Sequence, residues 1–529
     1  MSNYLALTLG PIYRTLGDAR KVRHLWGGSF LFSYLMKQII KRTDVHQNKV
    51  FIRRLPEYNA SATHPSGVGL FPDRLMLEVV AGQEKTAHDT LRQCIQQAID
   101  ATAGLSAMQK QGVIQYLQAY SLQMAVPDTK QADGTTVKGN YVQPLNQALD
   151  GIEQQSRAGG VEFAGLAAFL DNAREAFYLD ATGSKKRIRF ETLAEISAAD
   201  LLGDQSKLFL QQYHEGIDLP GELDFFVQLL DWEKELNPEL KSTPAHWRQF
   251  HKYIAIVHAD GDNIGAALKE IGHDDVKIAQ LSTCLFSFSQ KAADLINNSG
   301  AMPIYAGGDD LLFIAPVAVG SLDGNVQTIF HLLQQLSALF DAEVSQKLDF
   351  FPEDAPPSLS FGLSISYYKF PLAESLETSR NQLNDTAKKA PGKNSIAFRV
   401  QKHSGSDFGA VLSNKLNMPE GLWMQMLDLQ GAGKKDFLRS VAYTLESNAA
   451  LVTAVLENAP AQLEHFFFNH FNEAVHRQEP AKSFLDDVQK LLQSFRADAG
   501  NAESAVKQVL ALLLFLHFIN SEFQTDERD

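Results

Sequence analysis

Two short stretches decide the fold: residues 253–263 read YIAIVHADGDN, and residues 302–316 read MPIYAGGDDLLFIAP. The first is an apolar, β-branched run that ends in polar turn residues, which predicts a strand followed directly by a helix. The second predicts two strands, Met302–Ala306 and Leu311–Pro316, on either side of a Gly-Gly-Asp-Asp turn. A helical pattern over Lys277–Asn297 lies between the stretches, so the predicted order is strand, helix, strand, strand.

The same order opens the chain about 250 residues earlier. A strand is predicted over Tyr4–Leu9 and a long helix over Ile12–Lys41, interrupted at its paired glycines. Two more strands are predicted over Lys49–Leu55 and Arg74–Val80, and the following segment, Lys85–Gln123, is predicted to be helical. The repeated order indicates two copies of one α+β domain.

The fold class is therefore a multidomain α+β protein with four predicted units. The first α+β domain, with helical insertions, occupies residues 1–179, and a small, mainly helical domain occupies residues 180–248. The second α+β domain occupies residues 249–406. Residues 407–529 are predicted to form an all-helical C-terminal domain.

Composition is that of an ordinary globular protein. The 529 residues are 45% apolar and 21% charged, which excludes disordered, collagen-like and coiled-coil chains. Cys94 and Cys284 stand alone, so a disulfide scaffold and a multi-cysteine zinc ribbon are excluded and a reducing cytoplasm is expected. The longest apolar stretch, Val509–Leu516, falls short of the roughly 20 residues of a membrane span, and no membrane association is expected.

Charge argues against indiscriminate binding to nucleic acid. The net charge is −14, whereas phosphate neutralisation needs clustered Lys and Arg. Residues 1–60 form an exception, with ten basic and three acidic residues. A solvated helix face explains that segment better than RNA contact on charge alone.

Three carboxylates carry the predicted chemistry. Asp260 follows a strand, and Asp309 and Asp310 lie in the turn between two strands that should pair beside it. Mg²⁺ or Mn²⁺ suits such carboxylates together with substrate phosphates, and two such ions can activate a ribose hydroxyl and stabilise departing pyrophosphate. Gly307 and Gly308 allow positive φ and leave room for a triphosphate.

Each motif alone would be read as ordinary turn chemistry with solvent-facing acids. The two motifs in this order within one unit favour a site instead. Gly261, Asp262 and Asn263 complete the first turn and are weaker candidates for ligand binding. Lys393 precedes the last strand of the unit, where a cation would reach phosphates, although an exposed loop lysine is nearly as good an explanation.

These motifs resemble the large, polymerase-like subunit of type III CRISPR RNA-guided effector complexes, particularly the type III-B branch. The resemblance covers most of the chain, and its motifs are LALTLGPIYRTLGDARKVRHLWGGSFLFSYLM, LFPDRLMLE, IAIVHADGDNIG with IYAGGDDLLFIAP, and AKKAPGKNSIAFRV. It implies two ferredoxin-like palm domains akin to nucleotide cyclases, with a small helical domain between them and a helical C-terminal domain. It also implies that the GGDD palm converts ATP into a signalling nucleotide when target RNA pairs with the guide.

The resemblance assigns roles to residues at matching positions. Asp260, Asp309 and Asp310 match the metal-binding carboxylates of the family, and Lys393 matches its phosphate-binding lysine. Two features of many relatives are not expected here: a histidine and aspartate nuclease domain before the first palm, and a four-cysteine zinc site.

The first palm lacks the GGDD turn, but Asp73 lies roughly where Asp309 lies in the second. In the family this palm holds a second ATP, which gives cyclic oligoadenylates, or S-adenosylmethionine, which is joined to AMP. Trp26 and Asp73 suit the sulfonium ligand through cation–π and charge contacts. A core tryptophan and a turn aspartate are the alternative, and the product stays open.

Two rival functions remain. A stand-alone nucleotide or diguanylate cyclase would use the same palm. Its turn, however, has a different sequence from Gly-Gly-Asp-Asp, and such an enzyme lacks the second palm and the helical tail. A non-catalytic RNA-binding scaffold is the other, and the intact carboxylates argue against it. The partners implied by the resemblance are the other subunits of a type III-B ribonucleoprotein, its guide RNA and the complementary target RNA.

Overall fold

A computed structural model gives the fold. It describes residues 1–55, 59, 64, 67–101, 106–130, 136–156, 190, 192–203, 206–216, 224–320, 326–413, 435–471 and 481–524. The predicted boundary between residues 179 and 180 lies outside these ranges.

The N-terminal unit is built on a four-stranded antiparallel sheet. Its strands are β1 (Ser2–Gly10), β2 (Phe51–Leu55), β3 (Arg74–Val79) and β4 (Gln118–Val126), in the order β2-β3-β1-β4. The three predicted strands are confirmed, but the prediction of continuous helix over Lys85–Gln123 is wrong at its end, where β4 begins. β4 lacks a β-branched run, so its pairing with β1, more than 100 residues away, decides its conformation.

The helices of this unit differ from the single long helix predicted. Helices Ile12–Gly17 and Val22–Asp44 are separate, and the break precedes the paired glycines. Gly28 instead lies where the two helices touch, because a Cβ there would come 2.9 Å from Thr15 Cγ2. Helices Glu84–Asp100 and Ala107–Tyr116 complete the layer before β4.

Short elements connect the two sheets. A small hairpin pairs β5 (Thr129–Lys130) with β6 (Thr136–Val137), and helix Val142–Ser156 follows. The described part of the predicted small domain is helical, as expected. Its helices are Leu193–Ser197, Lys207–Gly216 and Phe225–Leu236.

The second unit contains a six-stranded sheet and a two-residue ribbon. The strands in chain order are β7 (Tyr253–Asp262), β8 (Met302–Gly307), β9 (Asp310–Pro316), ribbon strands β10 (Ala318–Val319) and β11 (Gln327–Thr328), β12 (Ser358–Tyr367), β13 (Ser395–Gln401) and β14 (Asp407–Ser413). The sheet order is β14-β13-β12-β7-β9-β8. Four adjacent strands of this sheet, β12-β7-β9-β8, repeat the order β4-β1-β3-β2 of the first sheet, so the expected duplication of an α+β core is confirmed.

The sheet extends further than the sequence predicted. β13 runs parallel to β12, and β14 pairs antiparallel with β13. The prediction that the chain is helical from residue 407 is therefore wrong for Asp407–Ser413. β14 is a partly exposed edge strand whose conformation depends on its neighbour in the sheet.

Helices cover the second sheet. Ile264–Ile271, Asp275–Asn298 and Ile329–Phe340 are α-helices. Another helix begins at Leu372, becomes π-helical over residues 382–386 and ends as a 3-10 turn over residues 387–389.

The C-terminal region is helical where it is described. Its helices are Lys435–Ser447, Ala449–Asn458, Leu463–His470, Ala481–Ala499 and Ala502–Ile519. Ala502–Ile519 is one helix among the described residues with the length and hydropathy to cross a bilayer, although 67% of it is buried inside the protein. It packs on its helical neighbours and on β14, as a core helix does.

The two sheets are joined next to the turn between β8 and β9. The backbone N–H of Ala306 donates to Gly69 O at 2.9 Å, and Ser29 Oγ donates to Ile304 O at 3.0 Å. Phe71 also packs against Phe286, with ring centroids 5.9 Å apart. The N-terminal unit therefore contacts the strand that leads into the Gly-Gly-Asp-Asp turn.

Candidate functional site

Two carboxylates oppose each other at the end of the second sheet. Ala259 of β7 pairs with Leu311 of β9, so the next positions toward the strand ends, Asp260 and Asp310, lie opposite one another. Cβ atoms in such a pair are about 4.5–5.5 Å apart, and like charges there destabilise the sheet. The structure thus brings together the two residues that the strand and turn motifs predicted.

The turn that carries the acids depends on its glycines. Gly308 has φ +72°, a region that favours glycine, and a Cβ on Gly307 would overlap the Tyr305 hydroxyl. Ser289 Oγ donates to Gly308 O at 2.9 Å and fixes the turn to helix Asp275–Asn298. The side chain of Asp309 lies over Gly261, where a Cβ would come 2.6 Å from its Oδ2.

The pKa values of Asp309 and Asp310 are raised by desolvation and by the neighbouring acids. Burial and then the charge of Asp260 raise the pKa of Asp309 to about 7. Asp310 keeps contact with solvent. Even so, desolvation of its carboxyl by neighbouring protein atoms, and then the charges of Asp309 and Asp260, raise the pKa of Asp310 well above the ordinary value. The turn therefore has an excess of negative charge that a proton or a cation would compensate.

A lysine that was not singled out from the sequence lies against this cluster. Lys388 Nζ is 2.8 Å from Asp260 Oδ2 and 2.9 Å from Asp262 Oδ1, and it donates to Gly261 O at 2.7 Å. Burial opposes the charged amine, but the charges of Asp260 and Asp262 outweigh it and raise the pKa of Lys388. Lys388 is thus a fixed cation that orients the end of β7.

Asp262 has a structural role. It is fully buried and accepts hydrogen bonds from Ser358 Oγ and Ser360 Oγ, both at 2.8 Å, and from the backbone N–H of Asn394 at 3.0 Å. With Lys388 these donors occupy its oxygens, so the suggestion that Asp262 binds a ligand is wrong for this structure.

Lys393 lies beside the acidic turn. Its Nζ is 3.4 Å from Asn263 Oδ1, and both residues have positive φ, +52° and +65°. Asn263 Nδ2 also donates to Pro356 O at 2.9 Å. The structure therefore brings Lys393 to the site, and the role of Lys393 in phosphate binding stays a prediction.

A cavity of about 700 Å³ lies between the two units. The three carboxylates do not line it, but the charges of Asp260 and Asp310 reach Tyr13 on its wall. Asp73, at the start of β3, lines it together with Tyr13 and Arg380, and the charge of Asp73 contributes to the raised pKa of Asp310. Burial is the main cause that raises the pKa of Asp73 itself to about 6. The volume lies within the roughly 300–1,000 Å³ of small-molecule sites.

Trp26 does not reach this cavity. It is 1% exposed, its Nε1 donates to Gly67 O at 2.9 Å, and its ring stacks on Phe30 with centroids 5.0 Å apart. The prediction that Trp26 contacts a sulfonium ligand is therefore wrong, because the ring belongs to the core of the N-terminal unit.

The acidic end suits a divalent cation only in part. Within the described ranges, no group of three or more His, Cys, Asp or Glu side chains is arranged to hold a metal ion. The expected convergence of the three carboxylates is thus not preformed as a metal-binding group. Asp260 and Asp310 remain as an opposed pair, and one or two carboxylates completed by substrate phosphates and water are a usual magnesium site.

Sequence reasoning missed Tyr13, Arg380 and Lys388. Tyr13 had a detectable signal, because it comes just after β1, and Asp260 and Asp262 lie at the corresponding end of β7. Arg380 and Lys388 lie on a helix whose pattern shows only that one face is buried. Their approach to the site depends on how that helix sits on the sheet.

Comparisons with known proteins match both units. The family model described as "Cas10/Cmr2, second palm domain" matches residues 253–397, and the one described as "CRISPR-associated protein Cmr2, N-terminal" matches residues 4–104. The curated protein "CRISPR system Cmr subunit Cmr2" of Pyrococcus furiosus is 31% identical over 292 residues. That match covers 44% of this chain and 31% of the relative, so it spans about a third of the relative's length.

Solved structures share the fold. "Type III-B Cmr-beta Cryo-EM structure of the Apo state" has a TM-score of 0.59 at 10% identity and covers 97% of this chain and 82% of that chain. "Cryo-EM structure of the Type III-B Cmr-beta bound to cognate target RNA" has a TM-score of 0.56 at 11% identity and covers 98% and 83%.

The strand order, the acidic end of β7 and the Gly-Gly-Asp-Asp turn together define a palm-domain protein. The matches name the family that both units resemble: residues 253–397 match the second palm domain of Cas10/Cmr2, and the N-terminal match and the curated relative are both to Cmr2. The resemblance found in the sequence motifs is confirmed.

Proposed function

We propose that this chain is the nucleotidyltransferase subunit of a type III-B CRISPR ribonucleoprotein. In this proposal target RNA activates the complex to convert ATP, with Mg²⁺ or Mn²⁺, into a signalling nucleotide. The observation that carries the proposal is the opposed pair Asp260 and Asp310, within electrostatic range of Tyr13 and Asp73 on the wall of a cavity of about 700 Å³ between the two units. Such a pair near a nucleotide-sized space suits phosphoryl transfer better than a purely structural role.

The reaction proposed is the attack of a ribose hydroxyl on the α-phosphate of ATP. A new phosphodiester bond forms, pyrophosphate leaves, and the hydroxyl proton passes to solvent. Asp260 and Asp310 would hold a divalent cation, which when bound supplies Lewis acidity at the α-phosphate. Lys388 orients Asp260, the glycine turn leaves room for phosphates, and Lys393 lies beside Asn263 just after β7.

The acceptor is expected in the cavity that Asp73 lines. A second ATP there would give a cyclic oligoadenylate, and S-adenosylmethionine would give a conjugate with AMP. A carboxylate suits the cationic groups of S-adenosylmethionine, whereas ATP would need to meet it through the base or ribose. The two acceptors therefore predict different products from the same site.

The partners proposed are the other subunits of a type III-B complex, the guide RNA and the target RNA, in the cytoplasm. The basic segment within residues 1–60 is a candidate contact for RNA or an acidic subunit. The two related sheets, the helical segment between them and the helical C-terminal region support this proposal.

The decisive experiment is mass spectrometry of products that the reconstituted complex makes from ATP with Mg²⁺ or Mn²⁺. It is run with and without target RNA and with and without S-adenosylmethionine. The double substitution Asp309→Ala and Asp310→Ala should reduce product by more than about 100-fold, because Asp260 alone cannot orient the ions. The matched control replaces Glu353 and Asp354, two exposed neighbouring acids, by Ala and should leave the rate unchanged.

The outcomes separate the rival functions. Product formation by the isolated chain without guide or target RNA would favour a stand-alone cyclase, and a cyclic dinucleotide from GTP would identify a diguanylate cyclase. An assembled, target-bound complex that makes no nucleotide product would favour a scaffold. A double variant as active as the unmodified complex would contradict the site assignment.

A further inference from the structure

Two arginines line the cavity without a carboxylate partner. Arg380, at the end of helix Leu372–Asn381, and Arg14, in helix Ile12–Gly17, have no ion pair or side-chain hydrogen bond within the described part of the chain. An arginine that faces a cavity and lacks a protein partner keeps all five N–H donors for an anion.

Most acids that line the same cavity are already paired. Glu153 is 3.0 Å from Arg74 and accepts from Thr8 Oγ1 at 2.6 Å. Asp385 is 2.7 Å from Lys389. These two acids therefore do not neutralise Arg380, and the cavity presents the Arg380 guanidinium together with the Asp73 carboxyl to whatever enters it.

Arg380 is held against an aromatic ring. Its guanidinium carbon lies 5.3 Å from the ring centroid of Tyr13, a cation–π contact that keeps the guanidinium plane in place. Tyr13 is 63% exposed, so the contact forms at an accessible wall of the cavity. Desolvation by the surrounding protein, and then the charges of Asp310 and Asp73, raise the pKa of Tyr13. This wall of the cavity therefore lies within electrostatic range of both carboxylates.

The helix that carries Arg380 is firmly seated. Ser379 Oγ and His258 Nδ1 are 2.8 Å apart, and Gly362 lies directly beneath, where a Cβ would overlap Ser379 O. Burial, and then the charge of Arg380, lowers the pKa of His258 to about 4, so this neighbour is neutral. The position of Arg380 is thus fixed by the sheet rather than by an anion of the protein.

We infer that Arg380, oriented by Tyr13, binds a phosphate group of a nucleoside 5′-phosphate in the cavity between the two units. Arginine recognises phosphate through paired N–H donors, and a site that already holds the guanidinium plane loses less entropy on binding. This inference deepens the proposed function and rests on it for the identity of the nucleotide. It adds a cation on the wall of the cavity formed by Tyr13, apart from Lys388 and Lys393 at the acidic turn.

The test measures binding without turnover. Calorimetric titration of the full-length chain with ATP in EDTA excludes metal-dependent binding at the carboxylates, and a parallel titration uses adenosine. Arg380→Gln should weaken ATP binding about 10- to 100-fold, because a charge-assisted bond to phosphate is lost, and should change adenosine binding less than about 2-fold. Arg380→Lys should restore only part of the loss, since lysine cannot form the planar fork.

The matched control is Arg399→Gln. Arg399 pairs with Asp407 at 2.8 Å between β13 and β14. This variant should bind ATP like the unmodified chain. Unchanged ATP binding in Arg380→Gln, or equal losses for ATP and adenosine, would overturn the inference.

The result also separates this inference from the proposed function. If Arg380→Gln binds ATP normally while the complex still makes product, the inference fails and the proposed function stands. If the complex makes no product but Arg380→Gln loses ATP selectively, the phosphate site stands and the proposed function fails.

Discussion

At the scale of single residues, the opposed carboxylates explain both the chemistry and the instability of the site. Asp260 and Asp310 occupy facing positions on neighbouring strands, an arrangement that disfavours folding by itself. Lys388 compensates Asp260 but makes no ion pair with Asp309 or Asp310. The folded chain is therefore expected to take up protons or cations at this turn.

Stability of the metal-free protein should fall as pH rises. The Asp309 carboxyl ionises near pH 4 in an unfolded chain and near pH 7 in the folded one, so the folded state holds the extra proton between these values. The unfolded chain loses this proton from about pH 4 and the folded chain near pH 7, so stability falls as the pH rises through this window and levels off above about pH 7. Thermal denaturation in EDTA should show this loss, and added Mg²⁺ should raise the melting temperature more at the higher pH.

Asp309→Asn isolates this effect. The variant cannot ionise at that position, so its melting temperature should depend less on pH, by about 2–4 °C for each 1 kcal/mol removed. Identical pH profiles for the variant and the unmodified chain would show that Asp309 is not the group responsible.

The sequence predicts the position of a residue correctly when that position is set by a local pattern. Asp260 and Asp310 are placed by strand ends and a turn, which are local patterns, and their register follows from pairing. Trp26 was misplaced because an aromatic residue on a helix gives no sign of which side faces the cavity. Lys388 and Arg380 depend on contacts between segments more than 100 residues apart.

At the scale of elements, the segment from residue 372 to residue 389 determines the shape of the site. It passes from α- to π- to 3-10 helix, and this change lets Arg380 face the cavity while Lys388 reaches the end of β7. Single π turns are frequent at functional sites because they redirect side chains. The contact beneath this segment is the backbone of β12 at Gly362.

Gly362→Ala should therefore disturb the site through this contact. The new Cβ would overlap backbone atoms of Ser379 and Leu383, which cannot move as a side chain tip can. We expect a loss of about 1–3 kcal/mol in the free energy of unfolding and weaker ATP binding. Chemical denaturation and calorimetry measure the two effects.

Gly265→Ala is the matched control. No atom lies within 4 Å of a Cβ at Gly265, which is exposed in helix Ile264–Ile271. Alanine there should be neutral or slightly stabilising, because glycine is a poor helix former. Equal effects of the two substitutions would rule out the proposed contact.

Edge strands account for the errors in predicted elements. β4 and β14 lie at the outer edges of their sheets, and neither has a fully buried face. The central strand β7 is largely buried and begins with a continuous apolar run, so its prediction was reliable.

At the scale of the whole molecule, a group of charges joins the N-terminal unit to the second. Arg53 contacts Glu78 at 2.6 Å and Asp275, while Lys138 lies 3.2 Å from Asp275. Tyr141 OH donates to Asp275 at 3.0 Å. Burial opposes ionisation of Asp275, but Arg53 and the hydrogen bonds outweigh it and lower its pKa.

Asp275→Asn should weaken the union of the two units. Arg53 and Lys138 would lose a shared carboxylate, at a cost of about 1–3 kcal/mol, below that of a fully buried pair because the site is partly exposed. Thermal unfolding should broaden or separate into two transitions. The control is Asp274→Asn, since Asp274 caps the same helix and asparagine caps equally well; a similar loss there would point to the helix rather than to the network.

The backbone hydrogen bond from Ala306 N–H to Gly69 O can be used to follow the contact between the two units. Ala306 lies directly before the Gly-Gly-Asp-Asp turn, yet its amide is protected by a carbonyl from the other unit. Its proton can exchange with deuterated water only when the two units part or when the strand itself opens. The exchange rate at this one amide therefore reports, without substrate or catalysis, how often the N-terminal unit releases the turn that bears the carboxylates.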